Sequence, residues 1–514
     1  MQQQTRVRLY DVHSWTGAFL GLFVFALCFT GTVALFFNEL EPWERPAARG
    51  AMPDRPALDA AVAAVAAAHG DAFPDDFLVF APEPYRNSIL IGFQPTTPGA
   101  ERITIEADPS SGAIIGPYHE GVGRFLRNLH TDLHLPSPWG RYLVGLGGIV
   151  MLLSIVTGIA THAKIIKNLH VFRPDRSRRL AWTDAHNVSG VWALPFHLMI
   201  AFTGTIIGLA GLFLIPLALA TTGGDQDAAI AAIVGDPPQA AGTPAVMASL
   251  NEVLHDAAMR MPEARASLVD VHYWGDANAT AHVRIEDGPD LKHVTELRYS
   301  LSSGAFREAW ALSETSGGRV YAAMTPLHYG TFGGIALKAL YAVLGLASSF
   351  VVASGMVVWL ERRAQRGTGV SQRVSGVWVG ASTGMLLATA GALALHHALP
   401  SSTDRVFGTG LTYAGLWVLA VGYAAWRAED RTALRHLLAA TAVLLAMTPL
   451  IRLSVEGAEL WSSSLPAVAT DMTLIAVAIA TAILTQAIPV PSTHEKSPRA
   501  VSPQRVPLTR SGVE

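Results

Sequence analysis

Cysteine and charge are both scarce in this chain of 514 residues. Its one cysteine, Cys28, lies inside an apolar run, which excludes intrachain disulfides, cysteine zinc sites and cysteine-ligated iron–sulfur clusters. Only 15% of the residues are charged, 50% are hydrophobic, and the mean hydropathy is +0.33. This composition excludes a disordered chain and indicates a membrane protein. The net charge of −3 gives no sign of a nucleic-acid partner.

Signatures of soluble enzymes are also missing. The sequence has no P-loop, no dinucleotide GxGxxG after a strand, no HExxH and no GxSxG elbow. No flavin or nicotinamide domain is therefore expected. If the protein carries electrons, they come from a separate donor, either a quinol or a soluble cytoplasmic reductase. Histidine, by contrast, is abundant, with 18 residues.

Eight apolar runs are long enough to cross a bilayer. The first has a basic start but no clear cleavage site, so we interpret it as an uncleaved helix. An even number of spans places both termini on one side. Loops rich in Lys and Arg, at 164–179 and 362–373, make that side cytoplasmic. The runs cover about residues 15–37, 142–163, 188–220, 335–360, 377–395, 406–426, 434–450 and 467–488.

Two long loops lie on the other side of the predicted membrane. Each begins with a helical pattern, continues with three alternating runs typical of strands, and reaches a turn with Ser-Ser-Gly-Ala, at 110–113 and 302–305. Each loop is predicted to fold as a small α+β domain with an antiparallel sheet.

The first and third runs share one pattern, at 13–31 (HSWTG…FTG) and 186–204 (HNVSG…FTG). Each has a His, a Gly four residues later, and Thr-Gly at seventeen and eighteen. The second and fourth runs are each preceded by Leu-His, and a basic residue follows at Arg141 or Lys338. These matches indicate two duplicated units of helix, outside domain and helix. The last four runs lack the pattern and form an appended block.

The predicted division has ten parts. They are 1–40 (first span), 41–138 (first outside domain), 139–165 (second span), 166–185 (basic cytoplasmic loop), 186–221 (third span), 222–330 (second outside domain), 331–361 (fourth span), 362–376 (cytoplasmic loop), 377–490 (appended four-helix block) and 491–514 (disordered cytoplasmic tail).

Duplication turns four histidines into two pairs. His13 and His186 fall at equivalent cytoplasmic ends, and His130 and His328 fall at equivalent outside ends. If the halves are related by a twofold axis, each pair faces across it. Two neutral imidazoles facing one another suit the axial ligation of a haem iron. Two such sites would form an electron path across the bilayer.

Two further histidines are weaker candidates as ligands. His197 lies eleven residues after His186, which is ~16 Å along a straight helix. It is a ligand, a partner of a haem propionate or proton path, or a buried polar residue, and the other half has Val24 at its position. His134 lies four residues after His130 and would share its face if that segment is helical.

Taken together, HSWTG…FTG, LHTDL, HNVSGVW…FTG and LHYGTFGG…K resemble the PepSY-associated transmembrane family over about residues 5–365. The stretches TIEADPSSGAII and ELRYSLSSGAFRE look like its PepSY domains. The resemblance implies an α-helical integral membrane protein of about eight transmembrane helices. Its core would be two duplicated helix–PepSY–helix units with two small α+β extracytoplasmic domains.

The family includes bacterial inner-membrane proteins associated with iron acquisition, some of them haem-containing ferric-siderophore reductases. Its recurrent histidines fall on His13, His130, His186 and His328. The resemblance therefore implies an inner-membrane oxidoreductase that binds haem b, expected at two sites. It would reduce a ferric siderophore or another ferric chelate at the periplasmic face. The alternatives are a non-redox PepSY protein that binds or regulates in iron uptake, and a transporter or transporter accessory.

Overall fold

The computed structural model describes most of the chain. The described residues are 3–46, 49, 52–162, 170–175, 177–234, 238–262, 264–286, 295–311, 316–365, 372–399, 405–427, 430–457 and 464–489. The predicted disordered tail at 491–514, and part of the basic loop at 166–185, lie outside these ranges. The ten domain boundaries stay a prediction.

Seven described helices are long and apolar enough to cross a membrane. Numbered along the chain, they are α1 (Gln3–Ala34), α5 (Trp139–Thr161), α12 (Gly334–Gln365), α13 (Gln372–Ala398), α14 (Arg405–Arg427), α15 (Asp430–Glu456) and α16 (Leu465–Ala487). The helices α6 (Arg178–Trp192) and α7 (Leu194–Gly208) make an eighth crossing if they are counted as one span. The protein is therefore a multi-pass membrane protein.

The third predicted run is not one straight helix. Its two parts, α6 and α7, meet at Ala193 with a bend of 68°, and α8 (Ala210–Thr221) follows α7. Pro195 lies in the first turn of α7, where a missing N–H is tolerated and the fixed φ suits a helix start. His186 is thus on α6 and His197 on α7. The prediction of one straight helix with the two residues ~16 Å apart along it was wrong.

The strands form one eight-stranded antiparallel sheet, with the order β4-β3-β2-β1-β5-β6-β7-β8. The strands are β1 (Phe77–Phe80), β2 (Ile89–Phe93), β3 (Ile103–Ala107), β4 (Ile114–Pro117), β5 (Arg265–His272), β6 (Thr280–Glu286), β7 (Thr295–Ser300) and β8 (Phe306–Ala311). Two separate small sheets were predicted. Instead, β1 pairs with β5, with Val79 opposite Val269, which leaves neither strand as an exposed edge.

Two helices cover the apolar face of this sheet, α3 (Leu58–His69) and α10 (Leu250–Arg260). Their N-termini cap one another. The Asp59 carboxylate accepts from the N–H of Leu250 at 2.6 Å, and the Asn251 side chain accepts from the N–H of Leu58 at 2.8 Å. Side-chain acceptors satisfy N–H groups that a helix leaves unbonded in its first turn. The two halves of the sheet layer are therefore joined by strands and by helices.

Short helices connect the sheet to the spans: α2 (Phe37–Glu44), α4 (Val122–Thr131), α9 (Gln226–Val234) and α11 (Ser316–Tyr329). His130 is near the end of α4 and His328 near the end of α11. The sequence placed them at the ends of the second and fourth spans, and the structure places them on separate helices that precede those spans. Leu133 and His134 follow α4, and Gly330 follows α11, all three with left-handed φ values that end the helices.

The appended block of α13 to α16 packs around α13, which is mostly buried. Gly376 and Gly380 of α13 lie against Ala424 and Ala420 of α14, and such small residues allow close helix approach in membranes. The block also contacts α2 through a buried ion pair. There Arg452 donates to the Asp471 carboxylate at 2.7 Å, and Trp43 Nε1 of α2 donates to the same carboxylate at 2.8 Å.

Candidate functional site: two histidine pairs

The four histidines matched by the repeat meet as two pairs. The rings of His13 and His186 have centroids 6.2 Å apart, with an interplanar angle of 66°. The rings of His130 and His328 also have centroids 6.2 Å apart, with an interplanar angle of 18°. We call these the basic-side pair (His13, His186) and the sheet-side pair (His130, His328). Each pair takes one histidine from each half of the repeat.

The ring spacing has a chemical meaning. Two imidazole nitrogens on opposite sides of one metal atom, each about 2 Å from it, put the ring centroids roughly 6 Å apart. Direct stacking or an imidazole–imidazole hydrogen bond would bring two rings closer than this. Both pairs therefore have the spacing required for one metal atom between two imidazoles.

Each of the four imidazoles uses its Nδ1 atom to bond a neighbouring helix. The contacts are His13 with Ser154 O (2.9 Å) and Thr157 Oγ1 (3.4 Å), His186 with Val351 O (2.8 Å) and Ser354 Oγ (3.3 Å), His130 with Thr30 Oγ1 (3.4 Å), and His328 with Thr203 Oγ1 (2.9 Å). A carbonyl oxygen only accepts, so Nδ1 of His13 and of His186 carries the proton.

The threonine hydroxyls that contact the sheet-side pair indicate the same tautomer, with the proton on Nδ1. Thr30 donates its proton to Ala26 O at 2.7 Å, and Thr203 donates to Met199 O at 2.7 Å. Each hydroxyl oxygen is then left to accept from the imidazole Nδ1–H. Nε2 thus keeps its lone pair in all four rings. A hydrogen bond at the other ring nitrogen is the usual arrangement of a metal-binding histidine.

Burial keeps the sheet-side pair neutral. It lowers the pKa of His130 to about 4 and that of His328 to about 3, because desolvation disfavours the charged imidazolium. Both rings are therefore unprotonated at pH 7. A neutral imidazole is the form that coordinates a metal.

A glycine faces each imidazole and follows the hydroxyl residue directly. A methyl group added at Gly31 or Gly204 would lie 2.8 or 2.9 Å from Cε1 of His130 or His328. The basic-side pair has the same arrangement, since a methyl group added at Gly158 or Gly355 would lie 3.2 or 3.0 Å from Cε1 of His13 or His186. The repeated pattern of the first and third runs already contains two of these dipeptides, Thr30-Gly31 and Thr203-Gly204. Four Ser/Thr-Gly dipeptides, at 30–31, 157–158, 203–204 and 354–355, are the signal that would have found the complete set.

Gly31→Ala should weaken the sheet-side pair, because the new methyl group would push the His130 ring from its place. We expect a loss of about 10–100-fold in metal or cofactor affinity, the range caused by disturbing residues that orient a ligand. Gly17→Ala on the same helix is the matched control, since nothing lies within 4 Å of a methyl group there. Titration of the purified variants with haem would measure this. Equal haem affinities of Gly31→Ala and Gly17→Ala would contradict the role proposed for Gly31.

The sheet-side pair opens onto a cavity of about 750 Å³ between α1, α5 and α7. Besides the two histidines, its walls are mostly apolar, and they include Gly147, Gly148 and Gly204. Arg141 contributes the charged side chain of the lining. A flat apolar group fits between helices whose glycines allow this close approach.

The two weaker candidates do not join either pair. His134 follows the end of α4, and both it and Leu133 have left-handed φ values, so the predicted shared face with His130 was wrong. Its Nε2 donates to Phe125 O at 3.0 Å, and its ring stacks on Phe125. His197 is 4% exposed on α7, and its Nε2 has no hydrogen-bond partner among the described residues. Its neighbouring ring is that of Phe196 rather than a second imidazole.

The paired geometry can be compared with known proteins. The family model for the PepSY-associated TM region matches residues 10–362. The chain belongs to this family. The match includes both histidine pairs and the whole sheet, and it ends before the appended block begins.

The chain also resembles a bacterial protein over part of its length. The chain is 32% identical over 255 residues to "Uncharacterized protein PA4219" of Pseudomonas aeruginosa, strain PAO1. The alignment covers 46% of this chain and 63% of that protein. The chain thus spans less than two thirds of the length of this relative.

Proposed function

We propose that the protein is an inner-membrane electron-transfer protein that binds two b-type haems and reduces chelated ferric iron at the periplasmic face. The basic-side pair would hold one haem iron and the sheet-side pair the other. The observation that carries the proposal is the repeated 6.2 Å spacing of imidazoles whose Nδ1 atoms are already bonded. His134 and His197 have no iron-binding role in it.

The residues present fit a haem. Two imidazoles would hold the haem iron, and the cavity beside the sheet-side pair has apolar walls and includes glycines in its lining. Haem would supply one-electron transfer. The Nδ1–H bonds would fix the ring orientation, and the apolar lining would exclude water from the iron.

The two pairs would lie near opposite membrane faces. His13 and Thr30, which bonds His130, are both on α1, so about 25 Å of helix separates the pairs. At the end far from the sheet, Arg178 pairs with Glu361 at 3.0 Å, and Arg362 lies over Tyr10. An excess of Lys and Arg at that end favours the cytoplasm there and the periplasm at the sheet. Electrons would enter from a cytoplasmic or quinol donor.

The duplicated unit and the extracytoplasmic position of the sheet are part of this proposal. Matching elements support the duplication: each half has a helix and four strands in the sheet layer, and each pair takes one ligand from each half. A ferric siderophore is the acceptor favoured by the family resemblance. Reduction weakens the hold of hard oxygen ligands on iron, so the product would leave its chelator.

Haem quantification and a reduced-minus-oxidised spectrum of the full chain, expressed with ample haem, would test the proposal. Wild type should show a Soret band and a haem spectrum, and His186→Ala should lose the part of the haem held by the basic-side pair. His255→Ala, on the exposed face of α10, is the control and should keep all of it. A wild-type protein without a Soret band would overturn the proposal and favour a non-redox binding or regulatory role.

A further inference from the structure

A second cavity lies beside the sheet-side pair, at the start of α5. It is an open cleft with about 1140 Å³ of empty space, and its lining includes Asp132, His134, Ser137, Arg141 and Tyr142. Arg141, Ile207 and Gly208 line this cavity and also the cavity of the sheet-side pair. These three residues are therefore the boundary between a polar space and the proposed haem site.

The polar groups that line this cavity differ in whether they already have hydrogen-bond or ion-pair partners. The Asp132 carboxylate accepts from the N–H of His134 at 2.9 Å and from the Thr131 hydroxyl at 3.2 Å. His134 is bonded to Phe125 O. Arg141 is exposed, and no salt bridge to it is present among the residues that the structure describes. Its guanidinium is the cation left to bind an anion in the cavity.

Lys338, which occupies the matching position in the other half, already has a carboxylate partner. Lys338 follows His328 as Arg141 follows His130, but it pairs with Glu39 at 2.6 Å. Both side chains of that pair are mostly buried, at 12% and 14% exposure. The two halves thus differ in charge at this point, and only the Arg141 side combines a free cation with a polar cavity within the described residues.

We propose that this second cavity binds the electron acceptor, and that Arg141 selects a small anionic ferric chelate by pairing with its carboxylate or another oxyanion. The inference rests on the proposed function and names its substrate class. The sheet-side pair would hold the haem that supplies the one electron needed to reduce the chelated Fe(III) to Fe(II). No bond to carbon or oxygen is made or broken in that step. Arg141 is a specificity residue, because it contacts the chelate rather than the haem iron.

Binding can be tested without reduction by using gallium(III) citrate, which has the charge of a ferric chelate and is not reduced. Arg141→Gln in the full-length, detergent-solubilised protein should weaken binding at least about 10-fold, the effect of losing one charge-assisted hydrogen bond. Arg141→Lys keeps the charge but loses the planar guanidinium, so its affinity should fall between those of wild type and Arg141→Gln. Lys338→Gln is the matched control and should bind as wild type. Equal weakening in Arg141→Gln and Lys338→Gln would overturn the proposal.

Steady-state reduction supplies a second readout. Arg141→Gln should raise the KM for anionic ferricyanide by a larger factor than the KM for cationic hexaammineruthenium(III). A fall in haem content, or an equal loss of rate with both acceptors, would assign Arg141 to the haem and overturn the inference. Competition of anionic phosphatidylglycerol with gallium citrate would assign the cavity to a lipid headgroup and also overturn it. A wild type that binds gallium citrate but reduces neither acceptor would refute the proposed function and leave the binding site standing.

Discussion

Replacing His328 with alanine should remove the cofactor of the sheet-side pair and stop electrons from reaching the acceptor. The remaining imidazole, His130, would lack its partner across the 6.2 Å gap. The loss of ferric reduction should exceed the roughly 10–100-fold that follows from losing a residue behind a metal ligand, because here the ligand itself is removed. Haem content should fall only by the share of that pair, since His13 and His186 keep their own contacts.

Double variants test directly whether the four histidines act as two pairs. Two ligands of one iron act as a unit, so His130→Ala/His328→Ala should be no worse than either single variant. Combining His328→Ala with His13→Ala should instead remove both haems. His134→Ala is the local control, because His134 bonds and stacks on Phe125 and lies outside both pairs. Full haem and full rate in His328→Ala, or an equal loss in His134→Ala, would contradict the pairing. Pyridine haemochrome quantification and the rate of ferrous iron trapping would measure these outcomes.

Asp471→Ala should destabilise the contact between the appended block and the core. Asp471, Arg452 and Trp43 are all fully buried. Removing the carboxylate leaves Arg452 charged without its nearest partner and Trp43 Nε1 without an acceptor. Breaking a buried pair on one side costs about 3–5 kcal/mol. Glu456 would be left as the other carboxylate near Arg452, at 3.3 Å, and it is already bonded to Arg49 at 2.7 Å.

Heating in detergent with a thiol-reactive dye would measure this, because Cys28 on α1 is the one cysteine in the chain. Asp471→Ala should expose Cys28 at a clearly lower temperature than wild type. Arg55→Ala is the control, since Arg55 and Glu252 form an exposed pair, worth about 0–1 kcal/mol. The double change Arg452→Met/Asp471→Leu should regain much of the loss, because it leaves no buried charge unpaired. An unchanged transition in Asp471→Ala would show that the block does not depend on this ion pair.

The sequence was most informative where the two halves repeat. His13, His130, His186 and His328 could be selected because each has a counterpart at the same place in a second pattern, and the structure brings these four residues together in pairs. The membrane spans could also be predicted, because the length of an apolar run can be measured directly in the sequence. The family expected from the quoted motifs is confirmed.

Features that depend on distant contacts could not be predicted. The pairing of β1 with β5 could not be predicted from local sequence, because the pattern of each strand indicates a buried strand without indicating its partner. Arg452 and Asp471 are on different helices, and nothing in the sequence identifies them as partners. The position of His134 was missed for a local reason: the left-handed residues Leu133 and His134 end the helix, although both residues are of types that also occur within helices.

The join between β1 and β5 has a consequence for assembly. The two strands run antiparallel about a local twofold, which is the relation between identical strands at the interface of a C2 dimer. In a chain with only one half, the sheet would end at the apolar strand Phe77–Phe80. The unpaired N–H and C=O groups of that edge strand would be free to pair with the same strand of a second copy. Such a chain would also hold only one imidazole of each pair. If the two halves are a duplication, one polypeptide that carries both is a tethered dimer, whose partner is supplied at a fixed ratio and cannot dissociate by dilution.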